Sequence, residues 1–243
     1  MNFDKLKDFQ ILIVGIILAL ALIIVAQIVN STFSNKGVTA TGSANKIVTS
    51  DNATWKIEVS AREATKSLAY GKVKSSIPVV LQYLKENKIT DNDIEIATPD
   101  SYAIYAINPK NGNSTNEISY YNFSQVITVN SKDVKKIQEM SSDIQKLLDK
   151  GINIESRAPE YYYSDIANLK IELLEMATKD AKNRANAMLK STHNKVSNIK
   201  SVKMGVFQIT PKTSTEVADW GINDTSTIEK KVTAVANVVF EVK

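Results

Sequence analysis

His193 is the single histidine of the 243 residues, and cysteine is absent, so few kinds of side-chain chemistry are open to this chain. A zinc site takes three or four nitrogen and sulfur ligands, and a nucleophilic triad needs its imidazole beside a Ser or Cys and an orienting carboxylate. His193 stands in the polar run KSTHNKV, where a cation would complement the end of a helix dipole. Asp91, Asp93 and Glu95 alternate as in a calcium loop, but the glycine and the later bidentate Glu that such a loop requires are missing. They read as a solvated turn entering a strand. Asp180 and Arg184, four apart, suit a surface helix pair. The chain contains no G-x-S-x-G, Walker or dinucleotide fingerprint. No catalytic residue, cofactor-binding residue or metal ligand is therefore nominated, and no cofactor is expected.

The aromatic residues carry more information. Tyr120, Tyr121, Tyr161, Tyr162, Tyr163 and Trp220 form the candidate contact surface, with Tyr102 and Tyr105 as neighbours in type. Aromatics on a split β-α-β-β-α-β sheet suggest an RNA-binding platform, but the glycine-aromatic pattern of such platforms is absent, and nucleic acid is not an expected partner. Sheet packing, self-association or an envelope-binding surface fits them better. Trp220 lies in a long segment without regular patterning, residues 211 to 228, and loops of that length are often functional. The ligand is not specified by these residues.

The elements that must position these side chains follow from composition and periodicity. A hydrophobic content of 43% allows one large or two small domains with a core. Thirty basic residues against 26 acidic ones give a net charge of +4. They are interleaved, which excludes a basic nucleic-acid arm. Residues 11–29, ILIVGIILALALIIVAQIV, contain only Gln27 as a clearly polar residue. As a helix they reach roughly 28 Å, close to the ~30 Å of a bilayer core. They read as an uncleaved transmembrane anchor, with a cleaved signal peptide behind Lys5 and Lys7 as the rival. Residues 1–10 are then a short cytoplasmic terminus, 30–36 a polar linker, and 37–243 an extracytoplasmic domain of a single-pass membrane protein.

Within that domain Ala53, Trp55, Ile57, Val59 and Ala61 alternate with polar residues, which predicts a strand with one buried face. Helical spacing follows over 64–87, with Pro78 expected to bend or break it. DIEIATPDSYAIYAI and ISYYNFSQVITV are extended segments around the loop 108–116, a long hairpin. A helix through Val134 to Leu148, capped by Ser131 and ended by Gly151, precedes a strand, INIESRAPEYYY. A long helix then runs from Ser164 to about Ser191, capped by Ser164 and Asp165. Its stripe includes Leu169, Leu173, Met176, Ala177, Ala181, Ala185 and Met188. IKSVKMGVFQIT reads as a strand with a bulge after Gly205, and Val232, Ala234, Ala236, Val238, Phe240 and Val242 share one face of the last strand. The order β, β, α, β, β, α, β, α, β, β contains a split β-α-β-β-α-β pattern. It predicts an antiparallel-rich α+β sheet with helices on one face, a long third helix and C-terminal strands.

Several stretches resemble the SIMPL-domain family: VTATGSANK at Val38 and Gly42, DNDIEIATPDSY at Ile94 and Thr98, DKGINIE at Gly151, and LLEMATKDAKNRANAML through Leu174, Ala177, Asp180, Ala181, Arg184, Ala185 and Leu189. The resemblance spans roughly residues 37 to 243. It implies an extracytoplasmic α+β domain with a tendency to homo-oligomerise, in a family of periplasmic and cell-surface proteins linked to oxidative-stress defence, and it implies no catalytic mechanism. The resulting expectation is a non-catalytic, membrane-anchored, oligomeric envelope or stress-associated protein. The alternative is a module binding a cell-wall component or small ligand through its tyrosines.

Overall fold

The computed structural model describes residues 13–27 and 37–243, a mixed α+β protein whose sheets are mainly antiparallel. Helix α1 covers 13–27 with every side chain exposed. Among the described residues no helix is long and apolar enough to cross a membrane. Residues 11, 12, 28 and 29 of the expected anchor 11–29, the expected terminus 1–10 and the linker 30–36 lie outside the described residues. Two compact units form: one gathers the described residues up to Gly42 with Thr178–Lys203 and Ala236–Lys243, the other Ser43–Ala177 and Met204–Val235.

The larger unit holds a six-stranded antiparallel sheet. Its centre pairs β2 (Asn52–Glu63) with β5 (Ser114–Ser131) over eleven residue pairs, from Ala53 opposite Ser131 to Glu63 opposite Tyr121. Strands β3 (Ile94–Ile96) and β4 (Asp100–Ile107) both pair with β5, and β6 (Ile154–Ser156) and β7 (Glu160–Tyr162) both pair with β2. The split pattern expected from the sequence is thus present, with each outer position occupied by two short strands rather than one. The breaks contain Pro99 and Pro159, which have no N–H for a ladder.

Alternation along β2 sends Ala53, Trp55, Ile57, Val59 and Ala61 to the buried face. Val129, Ile127 and Phe123 stand directly opposite Trp55, Ile57 and Ala61. Helix α2 (Lys66–Glu86) covers this face with Ala69, Val73, Val80 and Leu84, and α3 (Val134–Asp143) adds Val134, Ile137 and Met140. Pro78 neither breaks nor ends α2. It is exposed, so the carbonyl it leaves without a donor lies on the solvent side. Helix α3 is capped by Asp133, which accepts from the Lys136 amide at 3.1 Å, and not by Ser131; Ser131 Oγ accepts from the Asp133 amide instead. Beyond Asp143 the expected helix tightens to a 3-10 segment ending at Gly151, φ 75°.

The second sheet is built on β11 (Glu229–Val242), which pairs with β1 (Gly37–Thr49), β8 (Val196–Met204) and β9 (Gln208–Pro211); β10 (Ile222–Asn223) joins β9 in parallel. The bulge expected after Gly205 is a full interruption between β8 and β9, where the Gly205 amide donates to the Val235 carbonyl at 2.9 Å. In α4 (Ile166–Leu189) the buried residues are Leu169, Leu173, Ala177, Ala181 and Ala185, spaced four apart. Met176 and Met188, expected on this stripe, are exposed. Each step of four overshoots a turn by about 40°, so a row of fourth residues winds round the helix and leaves third-residue positions behind on the solvent side. The amide and hydroxyl of Ser164, before α4, both donate to the Asp51 carboxylate, at 2.8 and 2.7 Å. Asp165 accepts from Leu169 through its backbone carbonyl.

Candidate functional site

Residues 211–228, expected to be a loop without structure, are heavily tied down. Lys212 pairs with Glu229 at 3.0 Å, and the Lys231 ammonium donates to the Ser214 carbonyl. Gln208, buried on β9, holds the far side: its Nε2 donates to the Ala218 carbonyl at 2.7 Å, and its Oε1 accepts from the amides of Ile222 at 3.0 Å and Ala218 at 3.4 Å. At Gly221 φ is +86°, and a Cβ there would stand 2.9 Å from the Phe207 carbonyl oxygen. Only glycine fits both the conformation and the approach.

After β10 the chain closes on a buried ion pair. Lys230 is in phase with Val232 and Ala234 on the inward face of β11, so its side chain is carried inside, 3% exposed, against Asp224 at 8%. Its ammonium donates to the Asp224 carbonyl at 2.6 Å and to Oδ2 at 3.3 Å. Burial pushes the Asp224 carboxyl up, but four donors overcome that: the Thr227 hydroxyl, the hydroxyl and amide of Ser226, and the Lys230 ammonium. Together they hold it at about 2, below its ordinary 3.8. Lys230 is pulled below the usual lysine range because burial outweighs the single carboxylate beside it.

This pair forms one wall of a cleft of about 430 Å³ within the larger unit. Strand β7 and the turn after it supply Tyr161, Tyr162 and Tyr163; α4 supplies Ile166 and Lys170, four apart on one helix face; β9 and its approach supply Phe207 and Ile209; the 212–222 segment supplies Trp220 and Ile222. Tyr161 is 4% exposed and belongs to the core, and burial raises its phenol. Tyr162 donates to Glu160 Oε2 at 2.6 Å, a bond that raises its phenol further than burial does. The Lys170 ammonium lies 5.3 Å from the centre of the Phe207 ring. Trp220, also on the lining, is 87% exposed.

The cleft therefore offers flat apolar faces and cationic groups. Asp224, ionised down to about 2, is a poor proton acceptor at neutral pH, and both shifted phenols remain neutral there. Such walls can hold and orient a small molecule.

Of the residues nominated from sequence, Tyr161, Tyr162, Tyr163 and Trp220 come together here. Tyr120 and Tyr121 do not: they lie on β5, Tyr120 opposite Ile104 with its ring 5.6 Å from the Arg62 guanidinium carbon, and Tyr121 opposite Glu63. Tyr102 and Tyr105 lie on the neighbouring β4, each about half exposed. His193 belongs to the other unit and caps the 3-10 turn Lys190–Thr192 that follows α4, in a left-handed conformation, φ 58°. Asp93 closes a capping box on Thr90, and Asp91 pairs with Lys85 at 3.0 Å. Among the described residues no group of three or more His, Asp or Glu is placed to hold a metal ion.

Lys170, Phe207, Gln208, Asp224 and Lys230 were not singled out from the sequence. Two left a readable signal: Lys230 by its phase with the alternating apolar residues after it, and Asp224 by the serine two residues later that marks an Asx turn.

No curated protein matches the chain. The family model described as SIMPL, a protein of unknown function (DUF541), matches residues 38–240, which hold nearly all of both sheets, helices α2 to α4 and the cleft-lining residues, and the chain belongs to the SIMPL family.

Proposed function

We propose that this chain is a non-catalytic binding module of the cell envelope, held to the membrane through residues 11–29, whose cleft takes a small amphipathic molecule. The observation that carries the reading is the convergence of Tyr161, Tyr162, Tyr163, Phe207 and Trp220 on one 430 Å³ cleft. Pockets of a few hundred Å³ lined by aromatics with a few placed polar groups are the usual form of small-ligand sites. The membrane tether is supported by the apolar run 11–29, and the extracytoplasmic placement by its flanking lysines.

Trp55 is fully buried and Trp220 is 87% exposed, so acrylamide quenches mainly Trp220. In the full chain reconstituted in lipid nanodiscs, a cleft ligand protects Trp220 from acrylamide, and the protection weakens when Tyr162 becomes Ala. A broad panel of aromatic and amphipathic compounds giving no protection at millimolar concentration removes the binding reading. Release of the chain from membranes by alkaline carbonate removes the tether.

A second reading, homo-oligomeric assembly in an envelope or stress-associated role, is favoured by a separate observation. The β4–β5 ribbon exposes Tyr102, Tyr105, Ile107 and Ile118, with Ile107 at 68%, an apolar patch of the kind that marks protein contacts. Light scattering on the full chain in detergent tests it, and a strict monomer at high concentration overturns it.

A further inference from the structure

We infer that the ligand of this cleft is an aromatic or similarly flat apolar monoanion, its body against Trp220 and Tyr162 and its negative group on the Lys170 ammonium. This rests on the binding reading above and assigns it a chemical class.

Five aromatic side chains in one cleft admit two opposite ligands. Aromatic faces are electron-rich, and a cage of them holds quaternary ammonium and similar cations. Flat aromatic faces equally hold the apolar body of an anion whose charge is met by a lysine or arginine. The ionisable groups decide between the two. A cationic ligand would need the one carboxylate of the cleft, Asp224, and its oxygens already accept from the Ser226 amide and hydroxyl, the Thr227 hydroxyl and the Lys230 ammonium. The Phe207 face is already taken by the Lys170 ammonium at 5.3 Å. Asp224 and Lys230 cancel, which leaves Lys170 as the net charge of the cleft.

Lys170 itself is half-buried, and among the described residues no carboxylate lies within ion-pair distance of it. Glu172, two residues on, is engaged by Lys46 at 2.9 Å. A partly desolvated ammonium held only by a ring face gains most from an anion that can reach it, because the local dielectric is lower than that of water. The anion's apolar body then covers the open side of Trp220.

The test uses the full chain in nanodiscs of zwitterionic lipid, with empty nanodiscs as the partition baseline and three probes of one shape: 2-naphthoate, 2-naphthylmethanol and 2-naphthylmethylammonium. Equilibrium dialysis should give the carboxylate about tenfold tighter binding than the alcohol, with the ammonium weakest. Lys170→Met should bring naphthoate down to the affinity of the alcohol and leave the alcohol unchanged, Lys170→Arg should keep the preference, and Trp220→Ala should weaken carboxylate and alcohol together. A thermal melt shows that each variant is folded. Equal binding of carboxylate and alcohol, tighter binding of the ammonium, or a preference untouched by Lys170→Met overturns the monoanion assignment while the cleft remains a binding site. Failure of all three probes to bind also overturns the monoanion assignment, and failure of the broad panel above overturns the binding reading with it.

Discussion

Replacing Asp224 by Asn should cost this fold far more than replacing its partner Lys230 by Met. The two ends of the pair are held unequally. The carboxylate accepts from the Ser226 amide at 2.9 Å, the Ser226 hydroxyl at 2.7 Å and the Thr227 hydroxyl, besides Lys230. The ammonium has only Asp224, through its carbonyl at 2.6 Å and Oδ2 at 3.3 Å. Lys230→Met leaves the carboxylate with three donors and removes a buried charge, so its cost should be within about 1 kcal/mol and could be a gain. Asp224→Asn leaves an ammonium that is 3% exposed with no counter-charge, at a cost of about 3–5 kcal/mol. Adding Lys230→Met to Asp224→Asn should then recover most of that loss. The pH dependence follows independently. A carboxyl lowered from 3.8 to about 2 contributes about 2 kcal/mol at ~1.4 kcal/mol per pH unit. That contribution is complete above pH 4 and is lost as the pH falls through 2. Thermal and urea unfolding of the full chain in detergent, followed by tryptophan fluorescence from pH 7 to pH 2, measures all three effects. The reasoning fails if Asp224→Asn is no more damaging than Lys230→Met, or if the double variant is no more stable than Asp224→Asn alone.

Three further outcomes are expected. Gly221→Ala, at φ +86° and 2.9 Å from the Phe207 carbonyl, should lower stability by about 1–3 kcal/mol and change the acrylamide quenching of Trp220; an unchanged melt would contradict the close approach. Gln208→Leu removes the partners of the Ala218 and Ile222 amides, so hydrogen exchange should accelerate over 212–222 while β2 and β5 stay protected. Ala181→Leu, at a fully buried position on α4, should cost about 1–3 kcal/mol by overpacking, read as a lower melting temperature.

Period-two and fourth-residue patterns carried most of the fold because each was long. The alternation of Ala53 to Ala61 and of Val232 to Phe240 each marks a buried face, and both strands lie central in their sheets. Shorter strands were less legible. IEIATPDSY, INIESRAPEYYY and SVKMGVFQIT each form two strands on one neighbour, and only the prolines in the first two hinted at the break. The apolar residues Val202, Met204 and Val206 are 45–58% exposed, while Gln208 and Thr210 occupy the buried side of β9. Hydrophobicity misleads there because the buried polar groups have partners: Gln208 through the 212–222 segment and Thr210 through the Lys231 carbonyl at 3.5 Å. The cleft was legible in residue type alone. Three consecutive tyrosines and an isolated tryptophan drew attention, but nothing in the spacing brought Trp220 to Tyr162 while leaving Tyr121 apart. Lys230 escapes the apolar pattern because the alternation starts at Val232, whereas the strand begins at Glu229.

The division of labour among the charged residues of the cleft explains why its chemistry can be read at all. Strand β10 has only two residues and pairs in parallel with β9, so it cannot hold its place by ladder bonds alone. The Asp224 cluster directly after it, and Gln208 beside it on β9, do that work, and every polar atom spent there is withdrawn from ligand recognition. Tyr161 is also committed, its ring in the core and its amide donating to the Thr225 carbonyl at 2.7 Å. Lys170, Phe207, Tyr162 and Trp220 line the open space, and of these four only Tyr162 uses its side chain within a strand, on Glu160. Substitutions at these four positions should therefore change what the cleft holds with little effect on the fold, whereas substitutions at Gln208, Asp224 and Gly221 should change the fold first. A set of variants in which stability and ligand preference moved together at all seven positions would show that the two roles are not separated.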